Sequence, residues 1–146
     1  MIVLDTNVIT ELMRPSPNPR VLSWADELDP GAVAITSMNA AEILHGLARL
    51  PDGRRRQALQ QSWDTLLSEV FAGRVWGFNG EAAHWYGQLL SRRERLGRPI
   101  ATADAVIAAT VLAQANNLDQ GTSLATRNLD DFADLGLLLI NPWEGA

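Results

Sequence analysis

The first candidate for chemistry is an acidic side chain that follows a short apolar segment at the N-terminus. Residues 1–4 are Met-Ile-Val-Leu, and they lead directly into Asp5-Thr6-Asn7. Such a run is typical of a buried strand in a parallel sheet, and open α/β sheets bind ligands just beyond the carboxyl ends of their strands. Asp5 therefore lies where a ligand would bind, although an aspartate there is equally typical of the N-cap of the next helix.

Two further acids lie in predicted helices far along the chain from Asp5. Glu42 is surrounded by apolar neighbours in its helix, and Asp104 lies in the first turn of the most apolar helix. Glu42 could instead be an ordinary surface glutamate, and Asp104 could simply complement the helix dipole. If the three carboxylates converge, they will repel one another unless a cation lies between them. Mg²⁺ or Mn²⁺ suits such oxygen ligands.

A fourth polar segment, with Asn128 and Asp131, follows the apolar run at residues 122–126. The amide of Asn128 can bind a hard cation or hold a water molecule, but it adds no charge. Asp131 lies one turn further on, where an aspartate is also typical of a residue that stabilises a turn. Asp5 is followed at once by the hydroxyl of Thr6 and the amide of Asn7.

The elements that must position these residues alternate between strand-like and helix-like segments. This alternation predicts one α/β domain over residues 1–146, with a central parallel sheet of about five strands and helices on both faces. The predicted strands are residues 1–4, 32–35, 75–78, 122–126 and 137–140. The predicted helices are residues 7–13, 19–28, 37–50, 52–71, 80–96 and 102–116.

Composition excludes several classes of function. The chain has no cysteine, which excludes disulfides, thiolate metal sites and cysteine nucleophiles. All 12 basic residues are arginine, so lysine chemistry is excluded too. The net charge of -5 argues against a non-specific nucleic-acid binder, but not against an enzyme that uses a divalent cation. With no signal peptide and no apolar run near the ~20 residues of a membrane span, we expect a cytoplasmic protein.

The ordered set of motifs resembles the PIN-domain family, and in particular the toxin ribonucleases of bacterial VapBC and FitAB toxin–antitoxin pairs. The resemblance extends over essentially the whole chain. Its motifs are Ile2-Val3-Leu4-Asp5-Thr6-Asn7, Ala41-Glu42-Ile43 with Gly46, Pro99-Ile100 with Asp104-Ala105, Ala125-Thr126-Arg127-Asn128 with Asp131-Phe132, and Ile140-Asn141-Pro142-Trp143.

The resemblance implies an endoribonuclease that depends on Mg²⁺ or Mn²⁺. By position, Asp5, Glu42 and Asp104 match the acids of the family's metal site, and they are the expected catalytic residues. Many members carry a further acid where this chain has Asn128, and Asp131 is a second candidate for that position. In the mechanism that the resemblance implies, Thr6 and Asn7 support the ligating carboxylates from outside the immediate ligand shell. The resemblance also implies an RNA substrate, a homodimer, and a small antitoxin that covers the acidic cleft and binds operator DNA.

Two other interpretations stay open at this point. One is a PIN fold that has lost catalysis and acts as a binding module. The absence of an acid at Asn128 is the reason to consider it. The other is a haloacid-dehalogenase-like phosphatase, which also begins with a strand and an aspartate. That chemistry needs a second aspartate where this chain has Asn7, and a later lysine that this chain lacks.

Overall fold

A computed structural model describes residues 1–115 and 121–144 of the chain. Within these residues, the strands form a single five-stranded sheet in the order β3-β2-β1-β4-β5, and every neighbouring pair is parallel. The predicted fold class is confirmed. The strands are β1 (Ile2–Leu4), β2 (Val33–Thr36), β3 (Val75–Trp76), β4 (Ser123–Ala125) and β5 (Leu138–Ile140).

The helices connect these strands and lie close to their predicted positions. Most boundaries differ from the predicted ones by one or two residues. The helix expected from Asp52 begins at Arg54; its N-cap is Gly53, and the Asp52 carboxylate accepts a hydrogen bond from Arg56 at 2.9 Å. The same helix passes into a π-helical turn at Leu66–Val70. The helices are α1 (Thr6–Met13), α2 (Pro19–Asp26), α3 (Ser37–Ala48), α4 (Arg54–Thr65), α5 (Gly80–Arg95) and α6 (Thr102–Ala115).

The predicted end of the last helix, at Asn116, lies outside the described residues. The described residues also form three short 3₁₀ or π segments: Pro30–Ala32, Leu66–Val70 and Leu129–Phe132. None of the helices in the described part of the chain is both long and apolar enough to cross a bilayer.

The sheet separates two apolar cores, because successive side chains of a strand point to opposite faces. Leu4 is buried in a core with residues of α1, α3 and α4, whereas Val3 is buried in a second core with residues of α5 and α6. Helices therefore cover both faces of the sheet, as predicted. Burial on both faces explains why β1 is apolar throughout rather than alternating with polar residues.

The strand order places a crevice beside β1. β1 is paired with β2 on one side and with β4 on the other. Successive strands are therefore added first on one side of β1 and then on the other. Ligands of open α/β sheets bind at such switch points, outside the carboxyl ends of the strands. The backbone N–H of Asp5 donates to the carbonyl of Ala125 at 2.9 Å, which holds the ends of β1 and β4 together.

Candidate active site

An open cavity of about 470 Å³ lies beyond the carboxyl ends of β1 and β4. Most of the side chains that the sequence singled out for chemistry line it, although they come from four distant segments. The exception is Asp131, which lines an adjoining depression instead. The residues that line the cavity are Asp5, Thr6, Asn7, Thr10, Glu11, Arg14, Glu42, Asp104, Arg127, Asn128 and Trp143.

Asp5 lines the cavity and also caps the helix that follows it. It is the N-cap of α1, since its Oδ1 accepts a hydrogen bond from the backbone N–H of Thr6 at 2.8 Å. Its Oδ2 accepts one from the hydroxyl of Thr126 at 2.7 Å. Only 5% of Asp5 is exposed. Burial raises the pKa of this carboxyl group above 3.8, and the hydrogen bonds from Thr126 and Thr6 partly oppose the rise.

Glu42 lies on the exposed face of α3, and Thr6 connects it to the buried part of the site. The Thr6 hydroxyl donates to Glu42 Oε1 at 2.7 Å and accepts a hydrogen bond from Asn39 Nδ2 at 3.0 Å. Because its only proton is donated to Glu42, the Thr6 hydroxyl can only accept from its other neighbours, as it does from Asn39. Thr6 therefore links the exposed Glu42 to the buried Asn39.

Asn39 is central to this network, although it was not among the residues predicted to be functional. Asn39 is fully buried at the third position of α3. Its Oδ1 accepts hydrogen bonds from the backbone N–H and the hydroxyl of Thr36, at 3.0 and 2.7 Å. With its oxygen occupied, the amide presents its nitrogen to Thr6 and, at 3.4 Å, to Asp5. The cap of α3 thus orients a donor toward the acids. A buried Asn three residues after a capping Thr was the available signal.

Thr126 is the second residue that the sequence analysis missed. It is fully buried just after β4, and its hydroxyl donates to Asp5 while it accepts from the backbone N–H of Asn128 at 3.1 Å and from Asn7 Nδ2 at 3.4 Å. The carbonyl oxygen of the Asn7 side chain in turn accepts from the backbone N–H of Arg127 at 3.3 Å. Asn7 therefore fixes the segment after β4 against α1. The phosphatase interpretation would require an acid at this position of the chain.

Asp104 is half-buried in the first turn of α6, and its surroundings raise its pKa from 3.8 to about 6. Burial is the largest cause of this rise. Repulsion from Asp5, Asp131 and Glu42 adds to it, in that order, and the Arg93 guanidinium opposes it. The carboxylates are thus close enough to disfavour one another's charge. A carboxyl group with a pKa perturbed by burial and by specific charged neighbours is typical of functional sites.

The donor set suits a hard divalent cation, because it consists of carboxylate oxygens whose mutual repulsion a cation would relieve. In residues 1–115 and 121–144, no three acidic or histidine side chains form a ready-made metal-binding group. Glu42 is exposed and lines the cavity, where its carboxylate accepts a hydrogen bond from Thr6. Metal binding by these residues therefore rests on the chemistry of the donors.

Other polar residues complete the cavity wall. Glu11 is 7% exposed, and its carboxylate accepts hydrogen bonds from the backbone N–H of Asn18 at 3.1 Å and from Arg14. It thereby joins the end of α1 to the start of α2. The guanidinium of Arg127 lies over the ring of Trp143, 5.0 Å from its centroid. Glu11, Arg14 and Arg127 were not among the residues predicted to be functional.

Several side chains that could have been functional lie elsewhere. His45 and His84 are exposed on α3 and α5 and do not line the cavity. Arg93, which lies between other arginines in the last turn of α5, is 4% exposed. Its guanidinium instead donates to the backbone carbonyls of Arg98, Asp131 and Ala133 at 2.7, 3.0 and 3.2 Å. It is a structural residue that holds the segment carrying Asp131.

Comparison with known proteins agrees with this architecture. The family model for the PIN domain matches residues 2–136. The chain is 38% identical to "VapC ribonuclease Y4jK" of Sinorhizobium fredii over 100% of both chains. It is 37% identical to "Toxin FitB" of Neisseria gonorrhoeae over 99% of both chains. Among solved structures, that of FitAB bound to an IR36 DNA fragment superimposes with a TM-score of 0.86 at 36% identity, covering 98% of this chain and 96% of the other.

Proposed function

The chain belongs to the PIN-domain family, and we propose that it is the toxin of a toxin–antitoxin pair, a metal-dependent endoribonuclease that hydrolyses RNA phosphodiester bonds. One observation carries the proposal. Asp5, Glu42 and Asp104, from the end of β1, from α3 and from α6, line the same cavity at the switch point of the sheet. The names of similar proteins, a VapC ribonuclease and a FitB toxin, support the same activity.

The proposed ligands of a Mg²⁺ or Mn²⁺ ion are Asp5, Glu42 and Asp104. When bound, such an ion would stabilise charge on the phosphate and lower the pKa of the attacking water. Asp5 is the most restrained of these acids, because Thr6 and Thr126 each donate to one of its oxygens. The proposed role of Glu42 is either to bind the ion or to orient the attacking water.

In this proposal, Asn128 and Asp131 both contribute to the fourth position of the metal site. Asn128 lines the cavity and offers an amide without charge, whereas Asp131 lies in the adjoining depression and acts on Asp104 through its charge. Thr6, Asn7, Thr126 and Asn39 hold the carboxylates or the backbone around them. Residues of this kind commonly matter nearly as much as the ligands themselves.

The proposed partners follow from the similar proteins. Solved structures of relatives are complexes of toxin and antitoxin, and one of these complexes is bound to DNA. We therefore propose a small antitoxin that covers the cavity and carries the operator-binding function, and a toxin that forms a homodimer. The proposed site of action is the cytoplasm, where the RNA substrate is found.

The test is cleavage of total cellular RNA by the purified protein with Mg²⁺ or Mn²⁺, compared with EDTA and with Asp5→Asn. The matched control is Asp26→Asn, which removes one acidic charge from the exposed end of α2 outside the cavity. We expect cleavage that needs both metal and Asp5 and is unchanged in the control. A folded protein that binds Mn²⁺ without cutting would indicate a narrow RNA target or retained antitoxin, whereas a folded protein that binds no metal at all would favour the non-catalytic binding module. An active, metal-responsive Asp5→Asn variant would refute the assignment of Asp5.

A further inference from the structure

Two arginines, Arg14 and Arg127, line the acidic cavity, and only Arg14 forms an ion pair among the described residues. The Arg14 guanidinium lies 3.1 and 3.3 Å from the two carboxylate oxygens of Glu11, and Glu11 is buried. This pairing neutralises the charge of Arg14. Arg127 has no carboxylate oxygen within 4 Å among the residues that the structure describes, and its guanidinium donates no hydrogen bond to any of them. Arg127 is therefore the arginine of this cavity whose charge is not neutralised by an ion pair.

The position of Arg127 is nevertheless well defined. Its backbone N–H donates to Asn7, and its guanidinium lies against the ring of Trp143. Trp143 is itself fixed, because its backbone N–H donates to Asn141 Oδ1 at 3.0 Å and its carbonyl accepts from Arg20 at 3.4 Å. Trp143 also packs against the apolar core around β1. A cation–π contact holds the flat face of a guanidinium and leaves its N–H groups available for another partner.

Arg127 also separates two cavities. It lines the acidic cavity and, with Asn128, a second cavity of about 470 Å³ bounded by Asp131 and Asn141. A polyanion that approaches Asp5 and its neighbouring acids would be repelled by them unless positive charge lies along its path. A planar guanidinium with free N–H groups is well suited to a phosphate.

We propose that Arg127 binds a backbone phosphate of the RNA next to the one that is cleaved, and that Trp143 is the positioning residue that holds the guanidinium ready. This inference rests on the proposed ribonuclease function. It assigns Arg127 to binding rather than to the chemical step. Because the contact is with a phosphate, it should contribute to affinity for any RNA sequence.

Binding without cleavage tests the inference directly. The protein is Asp5→Asn, the probe is fluorescein-labelled polyuridylate, and anisotropy is measured over a range of salt concentrations. Adding Arg127→Ala should weaken binding about tenfold and reduce the slope of log K against log salt by about 0.7, the value for one phosphate on a single strand. Arg55→Ala, which removes an exposed arginine from α4, should change neither quantity.

Variants of Trp143 separate positioning from structure. In the same assay, Trp143→Leu should weaken binding less than Arg127→Ala does, and Trp143→Phe should restore most of the loss because a phenyl ring still accepts a cation. In the active enzyme, Arg127→Ala should raise KM with little change in kcat, and Arg127→Lys should retain part of the effect. Unfolding by urea serves to show that each variant is folded.

Three results would contradict the inference. An unchanged salt slope in Arg127→Ala would show that the guanidinium does not meet a phosphate. Unchanged RNA binding together with weaker inhibition by the antitoxin would assign Arg127 to the protein interface instead. A large fall in kcat at unchanged KM would place it in the chemical step. Failure of the wild-type protein to bind or cut any RNA is a different outcome, because it would refute the proposed function itself.

Discussion

Replacing Asp104 with asparagine should make the metal-free protein more stable while it impairs the proposed activity. The Asp104 carboxyl group is half-buried, and Asp5, Asp131 and Glu42 repel its charge, so its pKa is raised to about 6. At neutral pH the folded protein therefore carries a charge that its own structure disfavours. Asparagine has nearly the same shape and no charge, so the variant avoids this cost.

The magnitude follows from the shift in pKa. The value rises from 3.8 in the unfolded chain to about 6 in the folded protein, and one pH unit corresponds to about 1.4 kcal/mol. The full shift would be about 3 kcal/mol. Because the group is partly exposed, solvent screening reduces the expected gain to about 1–2 kcal/mol. For a chain of this size, that gain raises the Tm by roughly 3–6 °C.

The difference in stability between the wild-type protein and Asp104→Asn should increase with pH. Between pH 3.8 and about 6, the folded state binds more protons at Asp104 than the unfolded state does, so rising pH destabilises the wild-type protein relative to the variant. The two proteins should be nearly equally stable near pH 4. They should differ by the full amount above pH 7.

The assay is urea or thermal unfolding in EDTA at several pH values, with Asp26→Asn as a control that should show no such gap. Adding Mn²⁺ should reverse the order of stability, because the wild-type protein binds the ion more tightly. Metal at about 100 times its Kd adds about 2.7 kcal/mol to the protein that binds it. An Asp104→Asn variant that is no more stable at pH 7.5, or a gap that persists at pH 4, would refute the reasoning.

Two further predictions concern the residues that hold the site. Thr126→Val removes the hydroxyl that donates to Asp5 Oδ2, so RNA cleavage should fall roughly 10- to 100-fold in a folded protein, and Thr126→Ser should retain most of the activity. Equal activity of the Val and Ser variants in a cleavage assay would contradict a role for the hydroxyl. Arg93→Leu leaves the carbonyls of Arg98, Asp131 and Ala133 without their donor, so urea unfolding should show a loss of about 2–4 kcal/mol. The exposed neighbour in Arg92→Leu should lose less than about 0.5 kcal/mol, and similar losses in both variants would show that the buried hydrogen bonds contribute little.

The fold was predictable because its signals are local. The segment Ile2–Leu4 is apolar throughout, and this pattern is typical of a strand buried on both faces. Asn18 followed by Pro19 marks the start of α2, and Asn79 marks the start of α5. The less accurate boundaries, such as the end of β3 at Trp76, depend on pairing with a neighbouring strand. Such pairing cannot be read from a single segment.

The supporting residues of the site could not be predicted in the same way. Asn39 and Thr126 lie 34 and 121 positions from Asp5, and their roles exist only because the sheet brings these segments together. The same holds for Arg93, which lies among exposed arginines in the sequence. It is buried because the carbonyls of the segment after Asn128 provide its acceptors.

The position after β4 shows why residue identity alone gives an incomplete account of the site. Asn128 lines the cavity without charge, whereas Asp131 lies in the adjoining depression, yet Asp131 raises the pKa of Asp104 more than Glu42 does. The negative charge expected at the fourth position is therefore present, but it acts from outside the cavity. Arg93 holds the backbone of this segment and partly offsets its effect on Asp104. The electrostatic character of the site thus depends on how the segment is anchored as well as on which side chains face the cavity.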